Sequence, residues 1–236
     1  MNGLIALFGA GEYLPVVEPI DRTLLDSLNL KDRKPRVVCL PTAAGKEGDE
    51  SVNRWSSMGL DHYQRLGAEV TALPILDRAS ADDPQFESAL EEADLIYFSG
   101  GNPNYLYQTM QGSRAWIAAQ KAWARGAIYA GCSAGAMILA QKMPNFRLGT
   151  DTSTGFGILP AKYVLPHFDA MPGMFKPMVL ALRQTLKDGQ FVLGVDENTA
   201  LVGKVGGEWQ VLGTSKVHVI TRRSEKTYAA GEKVIL

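Results

Sequence analysis

Ser133 stands in the run Tyr129-Ala130-Gly131-Cys132-Ser133-Ala134-Gly135-Ala136-Met137, whose centre has the spacing Gly-x-Ser-x-Gly. A serine hydroxyl is a weak nucleophile by itself. It needs a turn that lifts it clear of its neighbours and a base that takes its proton. Small residues on both sides meet the first need, as in the nucleophile elbow, where a strand turns sharply into a helix. The flanks agree: Ala127-Ile128-Tyr129-Ala130 is apolar and partly branched, and Ala134 to Ala140 consists of good helix formers. Ser133 is therefore the candidate nucleophile. Cys132, off the centre of the motif, is expected to point into the core as a small hydrophobe.

The base must come from three histidines. His62 falls on a helical stretch and reads as a surface or boundary residue, and His218 in a late alternating strand reads as packing. His167, which follows the apolar run Tyr163-Val164-Leu165-Pro166, is the best placed. An acid that fixes the tautomer of the histidine completes such a set. Asp196 and Glu197 follow the buried stretch Phe191 to Val195, and Asp169 follows His167, so all three are eligible. An oxyanion needs backbone N–H groups free of side-chain crowding. Ser99-Gly100-Gly101-Asn102-Pro103-Asn104, directly after the apolar run Leu95-Ile96-Tyr97-Phe98, offers two glycines at the end of a strand.

The elements that would position these residues alternate between strand and helix. Leu4 to Phe8, Arg36 to Leu40, Glu69 to Pro74 and Leu95 to Phe98 read as strands; Val16 to Leu28, Asp49 to Leu66 and Ser113 to Arg125 read as helices, the last stopped by Gly126. Such a rhythm predicts an α/β fold: a doubly wound, mostly parallel sheet flanked by helices, flavodoxin-like, with its ligand beyond the carboxyl ends of the strands. Gly9-Ala10-Gly11-Glu12 is a tight turn, since Leu14 occupies the place of the third glycine of a dinucleotide fingerprint. Ser80-Ala81-Asp82-Asp83-Pro84 reads as a helix start with proline at its first turn, and Asp82 and Asp83 before it read as caps, not as metal ligands. Met143 to Pro160 reads as a loop rimming the site, and from Ala200 onward short alternating segments, with Trp209 as packing, predict C-terminal antiparallel hairpins.

Composition sets the outer limits. The 236 residues, 46% of them hydrophobic, suffice for a single domain over 1–236 with a continuous core. A net charge of −1, with no basic block longer than Arg222-Arg223, argues against nucleic-acid or polybasic membrane partners and for a small-molecule substrate. Cys39 and Cys132 sit in apolar contexts without metal-ligand spacing, which predicts free thiols, no metal and no cofactor. Met1 to Phe8 lacks a basic leader and is too short for a span, so a cytoplasmic protein is expected. Exposed edges of the late hairpins offer a surface on which a homodimer could pair.

Three stretches together, Phe98-Ser99-Gly100-Gly101-Asn102, Gly131-Cys132-Ser133-Ala134-Gly135-Ala136 and Pro166-His167-Phe168, resemble the serine peptidase family S51 that contains aspartyl dipeptidase (peptidase E) and cyanophycinase. Gly194-Val195-Asp196-Glu197-Asn198-Thr199-Ala200 is similar to the cyanophycinase side of that family. The resemblance implies a class I glutamine amidotransferase-like fold with Ser133 as nucleophile, His167 as base and Glu197 as the orienting acid. It also implies an oxyanion hole from the N–H groups of Gly101 and Ala134, with Gly100, Asn102 and Asp169 as substrate contacts. Peptidase-E-type members carry an aspartate soon after the nucleophile. Gln141 to Leu148 offers none, which favours Glu197 and leaves Asp169 and Asp151 as fallbacks. The implied activity is serine-type hydrolysis of short or isopeptide-like substrates, aspartyl or cyanophycin-related, through an acyl-enzyme. Arg147, Arg183 and Lys176 are the cations that could face an acidic group. The alternatives are an esterase or amidase on a non-peptide substrate, and a binding protein that keeps the fold without turnover.

Overall fold

Short uncharged runs make the strands that carry the site, and amphipathic helices cover them. The computed structural model describes residues 2–144, 152–171, 173 and 176–236. Its first half runs β1 (Ile5–Phe8), α1 (Glu18–Ser27), β2 (Arg36–Leu40), α2 (Asp49–Arg65), β3 (Glu69–Ala72), α3 (Arg78–Ala81), α4 (Glu87–Glu91), β4 (Leu95–Phe98), α5 (Pro103–Met110), α6 (Arg114–Arg125), β5 (Ile128–Cys132) and α7 (Ala134–Met137). The second half runs β6 (Lys142–Pro144), β7 (Thr152–Thr154), β8 (Tyr163–Leu165), α8 (Lys176–Gln184), β9 (Phe191–Val195), β10 (Thr199–Gly203), β11 (Glu208–Gly213), β12 (Lys216–Thr221), β13 (Glu225–Ala229) and β14 (Lys233–Ile235).

The main sheet has eight strands in the order β14-β11-β10-β1-β5-β4-β2-β3. Every pairing from β1 through β5, β4 and β2 to β3 is parallel, and β10, β11 and β14 add an antiparallel wing. Alternation along the strands feeds two cores. Ala6 and Phe8 pack with Ile20 and Leu24 of α1 and Tyr63 of α2. Ile5 and Leu7 face the other way, with Leu106, Trp116 and Met137 from α5, α6 and α7. Trp209 is core, as expected of a packing residue.

Three features differ from the sequence expectations. The strands that carry His167 and precede Glu197 do not join the main sheet; β8 and β9 pair in parallel inside a second sheet of order β13-β12-β9-β8. Leu193 and Val195 turn to the larger core, while Tyr163, Leu165 and Val192 pack on Leu182 and Leu186, so this sheet is a layer between core and α8. His62 is not a boundary residue but 0% exposed. Its Nε2 lies 2.9 Å from Asp21 Oδ2, and Asp21 also accepts the Tyr63 hydroxyl at 2.9 Å, so partners supplied by α1 and α2 make its burial tolerable. The stretch after the elbow is not all loop: β6 and β7 form a hairpin with Met143 opposite Ser153.

The acidic pair before Pro84 acts locally. Asp83 caps the short 3-10 turn Pro84–Phe86, accepting from Gln85 N at 2.9 Å as expected of a cap before Pro84, while Asp82 pairs with Arg78 and Asp77 caps α3 upstream. Among the described residues no group of His, Cys, Asp and Glu could hold a metal, and no helix is long and apolar enough to cross a membrane.

Candidate active site

β5 delivers Ser133 to the carboxyl edge of the main sheet. The turn is tight enough that a Cβ on Gly131 would come within 2.5 Å of the Gly135 carbonyl carbon, so only glycine fits. Ser133 itself takes φ 49° and ψ −105°, a conformation an L-residue holds only when its surroundings over-determine it. Those surroundings are its own N–H on Phe8 O at 3.1 Å and the amides of Ala136 and Met137 on its carbonyl. Cys132, in contrast, is buried, and burial pushes its thiol well above the usual range, so it stays protonated and inert.

His167 reaches the same point from the second sheet. It follows β8 with φ 51°, and its N–H bonds Gly9 O at 3.3 Å, which ties the end of β8 to the end of β1. Its Nε2 lies 3.3 Å from Ser133 Oγ and its Nδ1 2.7 Å from Glu197 Oε1. The three eligible acids are thereby separated. At the corner between β9 and β10 successive side chains point apart: Glu197 meets His167, while Asp196 turns into the second sheet, accepting from Ser215 Oγ at 2.7 Å and Lys216 N at 3.2 Å. Asp169 accepts from Glu197 N at 2.8 Å, so it holds the backbone of the acid instead of the imidazole. Asp151 lies outside the described residues.

Across from Ser133, Gly101 ends the turn after β4 at φ 137°, where a Cβ would sit 2.6 Å from the Ala43 carbonyl carbon. Among the described residues, the amides of Gly101 and Ala134 have no acceptor. The Gly100 amide does: both oxygens of Glu12 accept it, at 3.1 and 3.0 Å. Asn102 is also engaged, its Oδ1 capping α5 through Tyr105 N at 3.1 Å, and it is absent from the cleft wall. The cleft, about 260 Å³, is lined by Glu12, Arg54, Trp55, Gly100, Gly101, Ser133 and His167 among others.

Two of these wall residues escaped the sequence reading. Glu12 was visible only as part of a glycine-rich turn. Arg54 sits on α2, its guanidinium 5.3 Å from the Trp55 ring centre, with no carboxylate partner among the described residues. Of the expected cations, Arg183 lines a neighbouring cavity with Phe168 and Asp169. Arg147 and the Lys176 side chain lie outside the described residues.

The fold is that of an α/β protein with a large, mostly parallel central sheet flanked by helices, and Ser133, His167 and Glu197 meet at its edge. A solved peptidase from an acI-B1 Actinobacterium superimposes with a TM-score of 0.88 at 37% identity over 100% of this chain and 98% of its own. A Listeria monocytogenes EGD-e protein named as a candidate peptidase E shares the fold, with a TM-score of 0.63 at 20% identity over 91% of this chain and 100% of its own. Residues 5–208 match Peptidase family S51, and the chain belongs to that family. The uncharacterized peptidase YgaJ of Bacillus subtilis (strain 168) is 30% identical over 173 residues, 72% of this chain and 70% of its own. The cyanophycinase of Synechococcus elongatus is 28% identical over 174 residues, 69% of this chain. The match spans 53% of that cyanophycinase, about half its length.

Proposed function

We propose that this protein is a serine-type peptidase that cleaves short or isopeptide-like substrates through an acyl-enzyme. What carries the reading is the continuous relay from Glu197 through His167 to Ser133, at 2.7 and 3.3 Å, on a strained elbow beside two amides that have no acceptor among the described residues. Ser133 Oγ attacks the scissile carbonyl as its proton passes to His167 Nε2. Glu197 holds the Nδ1 proton and stabilises the imidazolium that forms. The amides of Gly101 and Ala134 receive the oxyanion. The imidazolium then protonates the leaving amine, and water, deprotonated by the same nitrogen, releases the acyl group.

Arg54, a cation on the cleft wall with no carboxylate partner among the described residues, supports an anionic group on the substrate, as aspartyl and cyanophycin-related peptides carry. The test is intact-mass labelling with a fluorophosphonate, followed by hydrolysis of aspartyl dipeptides and of simple esters. One adduct on the wild type, absent from Ser133→Ala and slowed in His167→Ala, is expected, with turnover of the peptides. A folded wild type that takes no adduct would remove the hydrolase reading; turnover of esters alone would leave an esterase.

A further inference from the structure

Glu12 is a buried carboxyl that the relay does not use. It is 5% exposed, stands in the turn after β1, and spends both oxygens on the amide of Gly100, the residue before the open amide of Gly101. A Cβ placed on Gly100 would lie in ordinary contact with both Ser133 Cβ, at 3.4 Å, and Glu12 Oε1, at 3.5 Å, so Gly100 stands between carboxyl and nucleophile. The residue after Glu12 and the residue before Gly100 add a second contact: the hydroxyls of Tyr13 and Ser99 are 3.0 Å apart. Tyr13 holds φ 63° and its ring lies 4.8 Å from that of Tyr97. Among the described residues, and apart from Asn29 at the end of α1, the non-glycine residues with positive φ are Tyr13, Ser133, His167 and Asn198, each at the site or adjoining Glu12 or Glu197. The strain of the Glu12-Tyr13 turn thus belongs to the same construction as that of the nucleophile.

We propose that Glu12 is a positioning residue for the oxyanion turn: by clamping the Gly100 amide it keeps that donor out of the cleft and aims the Gly101 amide at the carbonyl that Ser133 attacks. The inference rests on the Ser133 reading above. A clamp made of a carboxyl adds a property that a purely structural contact lacks. Burial pushes Glu12 up to about 7, against the lowering effect of the Cys132 thiol and the Gly100 amide. The groups around it are Cys132 from β5, Tyr97 from β4, Cys39 from β2 and Tyr13 from its own turn, with Arg54 and His167 along the cleft. Neutral, Glu12 still accepts from Gly100; ionised, it places a negative charge beside the developing oxyanion.

The test compares fluorophosphonate labelling rates of wild type, Glu12→Ala and Glu12→Gln between pH 5.5 and 8.5, with thermal melting as the check on folding. Glu12→Ala should label at least roughly tenfold more slowly, the scale of a misplaced oxyanion donor. Glu12→Gln, which keeps an oxygen for Gly100, should stay close to wild type at low pH. The rate ratio of Glu12→Gln to wild type should rise as pH passes 7, because only the wild type gains the negative charge at position 12. A folded Glu12→Ala that labels as wild type does, a Glu12→Gln as slow as Glu12→Ala, or a ratio flat with pH would each overturn the proposal. If Glu12→Ala does not fold, the ratio alone decides. A wild type that takes no label would sink the hydrolase reading itself, a distinguishable failure.

Discussion

At the scale of single residues the site is a set of charges placed against their surroundings, and two substitutions expose this. Glu12 titrates normally near 4.5 and in the fold near 7, so between these values the folded chain binds the extra proton. Stability is therefore full below about pH 4.5, falls as pH rises to 7, and stays lowered above it, by about 3 kcal/mol in all. Urea unfolding at pH 4.5 and pH 8 should show Glu12→Gln gaining that much on wild type across the interval; a gain independent of pH would mean that Glu12 keeps one protonation state. Arg54 makes the opposite kind of contribution. Exposed and unpaired among the described residues, it holds up no part of the fold, so Arg54→Ala should leave the melting temperature unchanged. Loss of a charge-assisted contact should raise KM for acidic peptides roughly tenfold or more, with neutral esters unaffected. Equal effects on both substrates would show that Arg54 shapes the cleft without reading charge.

Elements turn those residues into geometry, and the turn after β4 is the most exacting. Gly101 has a positive φ and no room for a methyl group against Ala43, so Gly101→Ala must move the backbone that carries its amide. We expect a loss of roughly a hundredfold in labelling rate, with a destabilisation of about 1–3 kcal/mol from the strained backbone. Labelling within a few fold of wild type would remove Gly101 from the oxyanion role. Elements of this kind were legible where local chemistry settles them: β2 and β4 from unbroken apolar runs, α6 from Ser113 and Gly126 at its ends, and the elbow from its small residues. What was not legible depends on partners distant in sequence. His62 looked like a boundary residue because Asp21, 41 positions away, is what allows it inside. Glu12 and Gly100 are 88 positions apart, and neither announces the other. β8 and β9 carry the same apolar signature as the central strands, so nothing in their composition assigns them to a second sheet.

That second sheet makes the distance between Ser133 and His167 a property of the whole molecule. Ser133 comes from the eight-stranded sheet, His167 and Glu197 from the end of β8 and the corner after β9, so the 3.3 Å between Oγ and Nε2 reports how the two sheets are registered. Between the two sheets the registry is held by the Gly9 carbonyl, which accepts from His167 N, while Phe168 N on Val195 O fixes the end of β8 within the second sheet. It is also held by Asp196, a buried carboxyl that ties the corner to Ser215, Lys216 and His218 of the neighbouring strand. Asp196→Ala strips those donors of their acceptor inside the protein and should cost about 2–4 kcal/mol. Lys233→Ala, which breaks a surface ion pair with Glu208 at 2.8 Å, should cost under about 1 kcal/mol. The two variants separate stability from registry. Asp196→Ala, measured well below its melting temperature, should label with fluorophosphonate more slowly than wild type by roughly tenfold, the scale of a small misplacement of catalytic groups. Lys233→Ala should label at the wild-type rate. If Asp196→Ala were destabilised and yet labelled normally, the corner would be a structural joint only, and the registry of Ser133 with His167 would have to reside in the Gly9 and Phe168 backbone bonds alone.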